Sequence, residues 1–296
     1  MHLSSHIMRT VAMPICMLVG ALLCYPISAF DAWCGHATTP VLVCMMLFVT
    51  FCRVDMREMR PTMMHVWLLV VQFVGCVAVY ATLRPFGETL AQGGMICVLM
   101  PIAMGAVVIG GMLGAKVETM ATHCLVCNLA TALVAPVILS YTGTGECTLW
   151  QILGRIAPML IVPFVAGQVC RRWVKPVAQW VGQHSQISFY IWLVSLLIII
   201  GRTTHFIILS GTEELHTEIA LAAVALVICI AQFCVGRRIG RRYGDAAAGG
   251  QSLGQKNTVL AVWMAQSFLS PLACVAPTAY IVWQNIVNSY QIYKKH

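Results

Sequence analysis

Charge is scarce in this chain. Of its 296 residues only 9% are Asp, Glu, Lys or Arg, and just ten of them are acidic. A soluble domain carries roughly 25% charged residues. No acidic residue falls centrally in a predicted span, so the paired aspartates of intramembrane proteolysis are absent. Zinc-binding spacings are missing as well, and a membrane-embedded enzyme is disfavoured. Short alternating runs, the mark of β-barrel spans, do not occur. What is present is apolar: 59% of the residues are hydrophobic and the mean hydropathy is +0.83. The apolar runs have helical length, so the expected class is an all-α integral membrane protein. The run after Arg9 is long enough to span, and no cleavable signal peptide stands out.

The 14 cysteines are scattered through apolar segments, as small buried hydrophobes are. Cys34 and Cys147 fall in loops on one side of the membrane; a bridge between them is open, though no spacing joins them. Cys124 and Cys127 have a redox-motif spacing but lie in an apolar span, so inert packing is expected.

Ten spans are read, near 9–29, 38–52, 63–83, 86–114, 117–140, 148–170, 186–207, 217–236, 247–268 and 271–291. With the N-terminus inside, fourteen Lys and Arg residues fall in cytoplasmic segments and two, Arg84 and Arg202, outside. That bias obeys the positive-inside rule and puts both termini in the cytoplasm of an inner or plasma membrane. It also accounts for the net charge of +8 without nucleic acid, and lets some basic residues touch anionic lipid heads. Arg155, two turns into the sixth span, is read as snorkelling; Arg202 and the Glu213–Glu214 pair are read as a solvated outer loop.

The ninth span is the weak point, because "AAAGGQSLGQKN" is polar. The alternative makes 237–257 a cytoplasmic loop and 258–283 the final helix, with Lys256 snorkelling at its mouth. An internal repeat favours ten. "AQGG" at 91–94 recurs as "AAGG" at 247–250, and the same offset superposes the neighbouring spans. Two halves of five spans, 1–141 and 148–296, must insert in opposite senses. Inverted repeats with Gly- and Pro-interrupted spans at matching places are the pattern of secondary transporters. Here the interrupted spans are the fourth, around Pro101, and the ninth, around Lys256.

"GQKNTVLA" followed by "SPLACVAPTAYIVWQNIVNS" resembles the C-terminal signature of the bile acid:sodium symporter family. The matching positions are Gly254, Gln255, Lys256, Asn257, Leu260 and Ala261, then Ser270, Pro271, Pro277, Trp283, Gln284 and Asn285. Gln72 in "VVQFV" and Pro101 resemble the family's third-span glutamine and fourth-span proline. The resemblance implies two inverted five-helix repeats with broken, crossing helices 4 and 9. It implies a core domain from 63–140 and 217–291 and a panel from 9–52 and 148–207. It also implies substrate in the cleft between them, alternating access, and sodium bound behind the crossover.

The departures bear on that sodium. The family's Ser-Asn pair falls on Ala106 and Val107, which offer no side-chain oxygen; its glutamate falls on Ser252 and its glutamine on Lys256. Gln72 and Asn257 remain. A lysine inside a bilayer costs roughly 2.5–3.5 kcal/mol on insertion scales, which favours a use for it. Its ammonium replaces bound sodium with a tethered charge, leaving transport uncoupled or exchanging, or else it loads and releases a proton.

Pro101, Lys256, Asn257, Gln255, Ser252, Gln72, His123 and Asn285 are therefore the candidate crossover residues. His123 is read as a proton relay, a substrate contact or an interhelical bond. Ser252 and Thr258 are expected to bond back to their own helix. No metal ligand set is named. The expected function is secondary transport of an organic anion or a similar amphipathic small molecule, by a monomer or homodimer in the lipid bilayer. The alternative is a binding or channel-like protein that keeps the fold without coupled transport.

Overall fold

The computed structural model describes residues 14–53, 59–103, 105–143, 148–184, 186–210 and 214–295. Among these the chain is helical, and it divides into two units. One takes the described residues of Met1–Arg53 with Pro163–Leu215; the other takes those of Val54–Val162 with His216–His296. Glu213 and Cys147 lie outside the described residues, so the open question of a Cys34–Cys147 bridge does too.

The first unit opens with α1 (Pro14–Leu22) and α2 (Cys24–Trp33), bent by 78°. The sequence reading ran one span straight through this point. Pro26 explains the break: its nitrogen has no hydrogen to give Leu22, and its ring crowds that carbonyl. After α3 (Thr38–Arg53), this unit contains the second half of α8 (Leu149–Trp173), then α9 (Lys175–Gln183) and α10 (Gln186–Ser210). α10 packs on α2 and α3.

A buried ion pair holds that packing. Asp31 is 1% exposed, and its Oδ2 accepts from Arg202 Nε at 3.2 Å and from His36 Nδ1 at 2.7 Å. Its Oδ1 accepts from the Thr38 hydroxyl. Arg202 also reaches Thr39 Oγ1 at 3.4 Å. This corrects the reading of Arg202 as a solvated loop residue. α10 continues to Ser210, so Arg202 lies inside a helix, where only a carboxylate compensates its burial. Asp31→Ala strands the guanidinium, and a loss of about 3–5 kcal/mol is expected. Thermal melting in detergent checks this, with Leu209→Ala, at an exposed site on α10, as the neutral control.

The second unit holds α4 (Met63–Leu83), α5 (Glu88–Leu99), α6 (Gly105–Met112), α7 (Val117–Thr142), the first half of α8, α11 (Leu215–Arg242), α12 (Ala246–Gly254), α13 (Thr258–Phe268) and α14 (Val275–Lys295). α4, α6, α7 and α12 share a core built on Met64, Leu68, Ile102, Ala106, Met120, Cys124, Cys127 and Leu253. α11 turns into α12 through Tyr243–Gly244–Asp245. Asp245 Oδ1 caps α12 at Ala248 N (2.8 Å), while its Oδ2 accepts from Lys116 N at the start of α7 (2.8 Å). α7 and α12 thus begin side by side.

Among the described residues five helices are long and apolar enough to cross a membrane alone: Met63–Phe86, Val117–Thr142, Leu149–Trp173, Phe189–Leu209 and Leu215–Arg242. The bent pair α1–α2 makes six if counted as one span. α3 and α13 are apolar but shorter. The predicted spans around 86–114 and 247–268 are each two short helices with a break between them, and that at 271–291 is a short 3-10 turn followed by α14, which is not among the helices long and apolar enough to cross alone.

Candidate functional site

Both breaks follow from local sequence. α5 stops because Pro101 has no N–H to continue it and pushes Met100 into extended backbone (φ −62°, ψ 143°). α12 stops at Gly254, Gln255 is extended (φ −95°, ψ 103°), and Asn257 starts α13 by accepting from Leu260 N at 3.2 Å. The two unwound segments then pair with each other. Ile102 and Lys256 form an antiparallel bridge, in which Ala103 N donates to Gln255 O and Asn257 N to Pro101 O, each at 2.9 Å.

Unwinding frees carbonyls that bilayer lipid cannot satisfy. At the end of α5, side chains claim four in succession. Gln232 Nε2 donates to Cys97 O (3.2 Å), Lys256 Nζ to Val98 O (3.0 Å), and Gln72 Nε2 to Leu99 O (2.8 Å) and Met100 O (3.2 Å). At the end of α12, Tyr280 OH donates to Gly254 O at 2.7 Å and accepts from Gln232 at 3.0 Å. Lys256 N donates to Gln284 Oε1 at 3.0 Å.

Lys256 is therefore not at a helix mouth on the rim. It is 1% exposed, with its ammonium at the C-terminal, negative end of α5. The titratable side chains around it include the thiols of Cys76, Cys97 and Cys127 and the imidazole of His123; among the described residues no carboxylate pairs with it. The cation is held by backbone dipoles. Ala106 and Val107 flank the break on α6, the former fully buried and the latter half-buried.

The other candidates divide. Gln72, Gln255 and Asn257 are all at the crossover, and Gln72 also accepts from Cys127 Sγ at 3.2 Å. Asn285 is not: its amide bonds back to Ile281 O of its own helix, and Gln284 reaches the crossover instead. Arg155 is exposed. Ser252 does not bond back to its helix as expected, because its hydroxyl has no partner among the described residues. The same holds for Gln255 Oε1 and for both ring nitrogens of His123.

His123 is fully buried and stacks on His65, ring centroids 5.7 Å apart and planes 19° from parallel. Thr62 N–H donates to His65 Nδ1 (2.8 Å), which assigns the His65 proton to Nε2 and lets it donate to Thr119 O (3.1 Å). Ser252 on α12 and His123 on α7 are each seven residues from the Asp245–Lys116 contact. Buried polar atoms lacking a protein partner are those a bound molecule or water would satisfy.

Sequence reasoning passed over His65, Gln232 and Tyr280. Their chemistry was visible, but nothing along the chain shows that helices 48 residues apart in sequence meet at Gln232 and Tyr280.

Residues 10–286 match the SBF-like CPA transporter family. A stretch of 101 residues is 28% identical to an uncharacterized protein of Pseudomonas aeruginosa, covering 34% of this chain and 29% of that one.

Proposed function

Because the chain belongs to the SBF-like CPA transporter family, we propose that it is a secondary carrier of organic anions that works by alternating access around the crossover. The observation that carries this reading is the pair of unwound segments joined at Ile102 and Lys256. Broken helices facing each other at membrane depth offer both polarities of helix end to a passing solute. Counting α1–α2, α5–α6 and α12–α13 as one crossing each, with α3, α4, α7, α8, α10, α11 and α14, gives ten spans in two inverted repeats. On this count α9 stays outside the crossings. On this reading 63–140 and 217–291 form the core domain and 9–52 and 148–207 the panel. The protein is an integral membrane transporter rather than an enzyme, working in the inner or plasma membrane as a monomer or homodimer.

Lys256 decides the coupling. Lys256 Nζ donates to Val98 O, one of the freed carbonyls; on this reading its tethered charge takes the place of sodium, and transport is uncoupled, exchanging or proton-linked. An anionic substrate is favoured by this fixed positive charge. The test is uptake into proteoliposomes of steroidal and aromatic carboxylates and sulfonates, under sodium, choline and pH gradients. Flux that persists when choline replaces sodium is expected. Flux that requires sodium overturns the coupling assignment, and a bare leak marks the channel-like alternative.

A further inference from the structure

Arg171 and Arg172 close α8, and Lys175 opens α9 after a turn at Val174. No acidic residue occurs in the sequence between Glu146 and Glu213. α9 has nine residues and cannot span a membrane. One edge is anchored: Val181 packs with Val49, Cys52 and Cys170. A second edge is apolar yet uncovered. Val177 is 42% exposed and Trp180, which stacks on His184, 53%; as residues i and i+3 of α9 they share a face, while Trp173, 72% exposed, ends α8 on the other side of the Val174 turn. Lys175 lies on the opposite face of α9 from Val177 and Trp180, and Arg171 and Arg172 stand just before the turn at the end of α8.

A short helix with an apolar face and a lysine opposite it, flanked by the two arginines and the tryptophan that end α8, is built to lie in the plane of the membrane surface. We propose that α9 is seated in the headgroup layer, with Trp173 and Trp180 in the acyl boundary and Arg171, Arg172 and Lys175 binding an anionic phospholipid headgroup. The basic cluster selects the sign of the lipid, and the tryptophans set the depth. The assignment is independent of what the carrier transports.

The experiment uses the full chain in phosphatidylcholine vesicles with and without phosphatidylglycerol. Lipids brominated near the headgroup are expected to quench wild-type tryptophan fluorescence more than the Trp173→Phe/Trp180→Phe variant. Labelled phosphatidylglycerol is expected to bind about fivefold more weakly for each charge removed in Arg172→Gln and Lys175→Gln. Equal quenching of wild type and variant places the two tryptophans in water and overturns the proposal. So does unchanged lipid affinity, or competition by inorganic phosphate, which would make the site a reader of free anions. Quenching that appears only on dilution shows a second copy covering the two tryptophans, and overturns it too.

Discussion

Replacing Lys256 by methionine is expected to turn a protein indifferent to small cations into one that depends on them. Methionine keeps the length of the side chain and removes the charge. Val98 O then loses its donor, while Leu99 O and Met100 O stay with Gln72. A stranded buried acceptor costs about 1–3 kcal/mol. The opposing effect is of similar size, since an ammonium no longer has to be desolvated. A melting temperature alone therefore does not separate the roles of this lysine. The separating measurement is melting in choline, then with sodium or methylammonium added. The variant should recover stability, by about 2.7 kcal/mol when the added cation reaches a hundred times its dissociation constant. Wild type should not respond. Sodium stabilising wild type, or a variant blind to both cations, removes the argument for a resident cation.

Gly249→Leu is expected to leave almost no folded protein in the membrane. A Cβ at Gly249 would stand 2.3 Å from Gly236 O and 2.7 Å from Gly240 Cα. These are backbone atoms of α11 and cannot swing aside. Helices in lipid gain little from the hydrophobic effect and rely on close backbone approach, so forcing α11 and α12 apart removes what holds them. α12 also delivers Lys256 to the crossover, and the damage spreads there. Gly249→Ala should already cost about 1–3 kcal/mol from overpacking. Gly154→Ala is the control, because nothing lies within 4 Å of its new Cβ and the helix is undisturbed. Yield of monodisperse protein and its melting curve report the outcome. A stable Gly249→Leu protein would mean that the two helices do not pack this closely.

Much of the architecture was legible in the chain, and for identifiable reasons. Apolar length located α4, α7, α8, α10 and α11 because hydrocarbon thickness sets helix length directly. Pro101 and the Gly-Ser-Gln run before Lys256 marked the breaks because a missing N–H or a weak helix former acts locally. Polarity misled at Arg202, where a charged residue reads as the end of a span. Its partner Asp31 is 171 residues away, beyond the reach of any local pattern. The same limit hid Tyr280 and Gln232, whose task is to satisfy carbonyls on other helices. Asn285 shows the reverse: an amide can look available in sequence and be spent on its own backbone.

The bridge between the two breaks also constrains how the protein is made. Val98 and Lys256 are 158 residues apart, so the first break leaves the ribosome long before its partner exists. At roughly 5–20 residues per second this interval is about 8–30 s. During that time the end of α5 has bare carbonyls that lipid will not accept. The nascent first half must wait near water or against the insertion machinery, and only synthesis of the second half releases it.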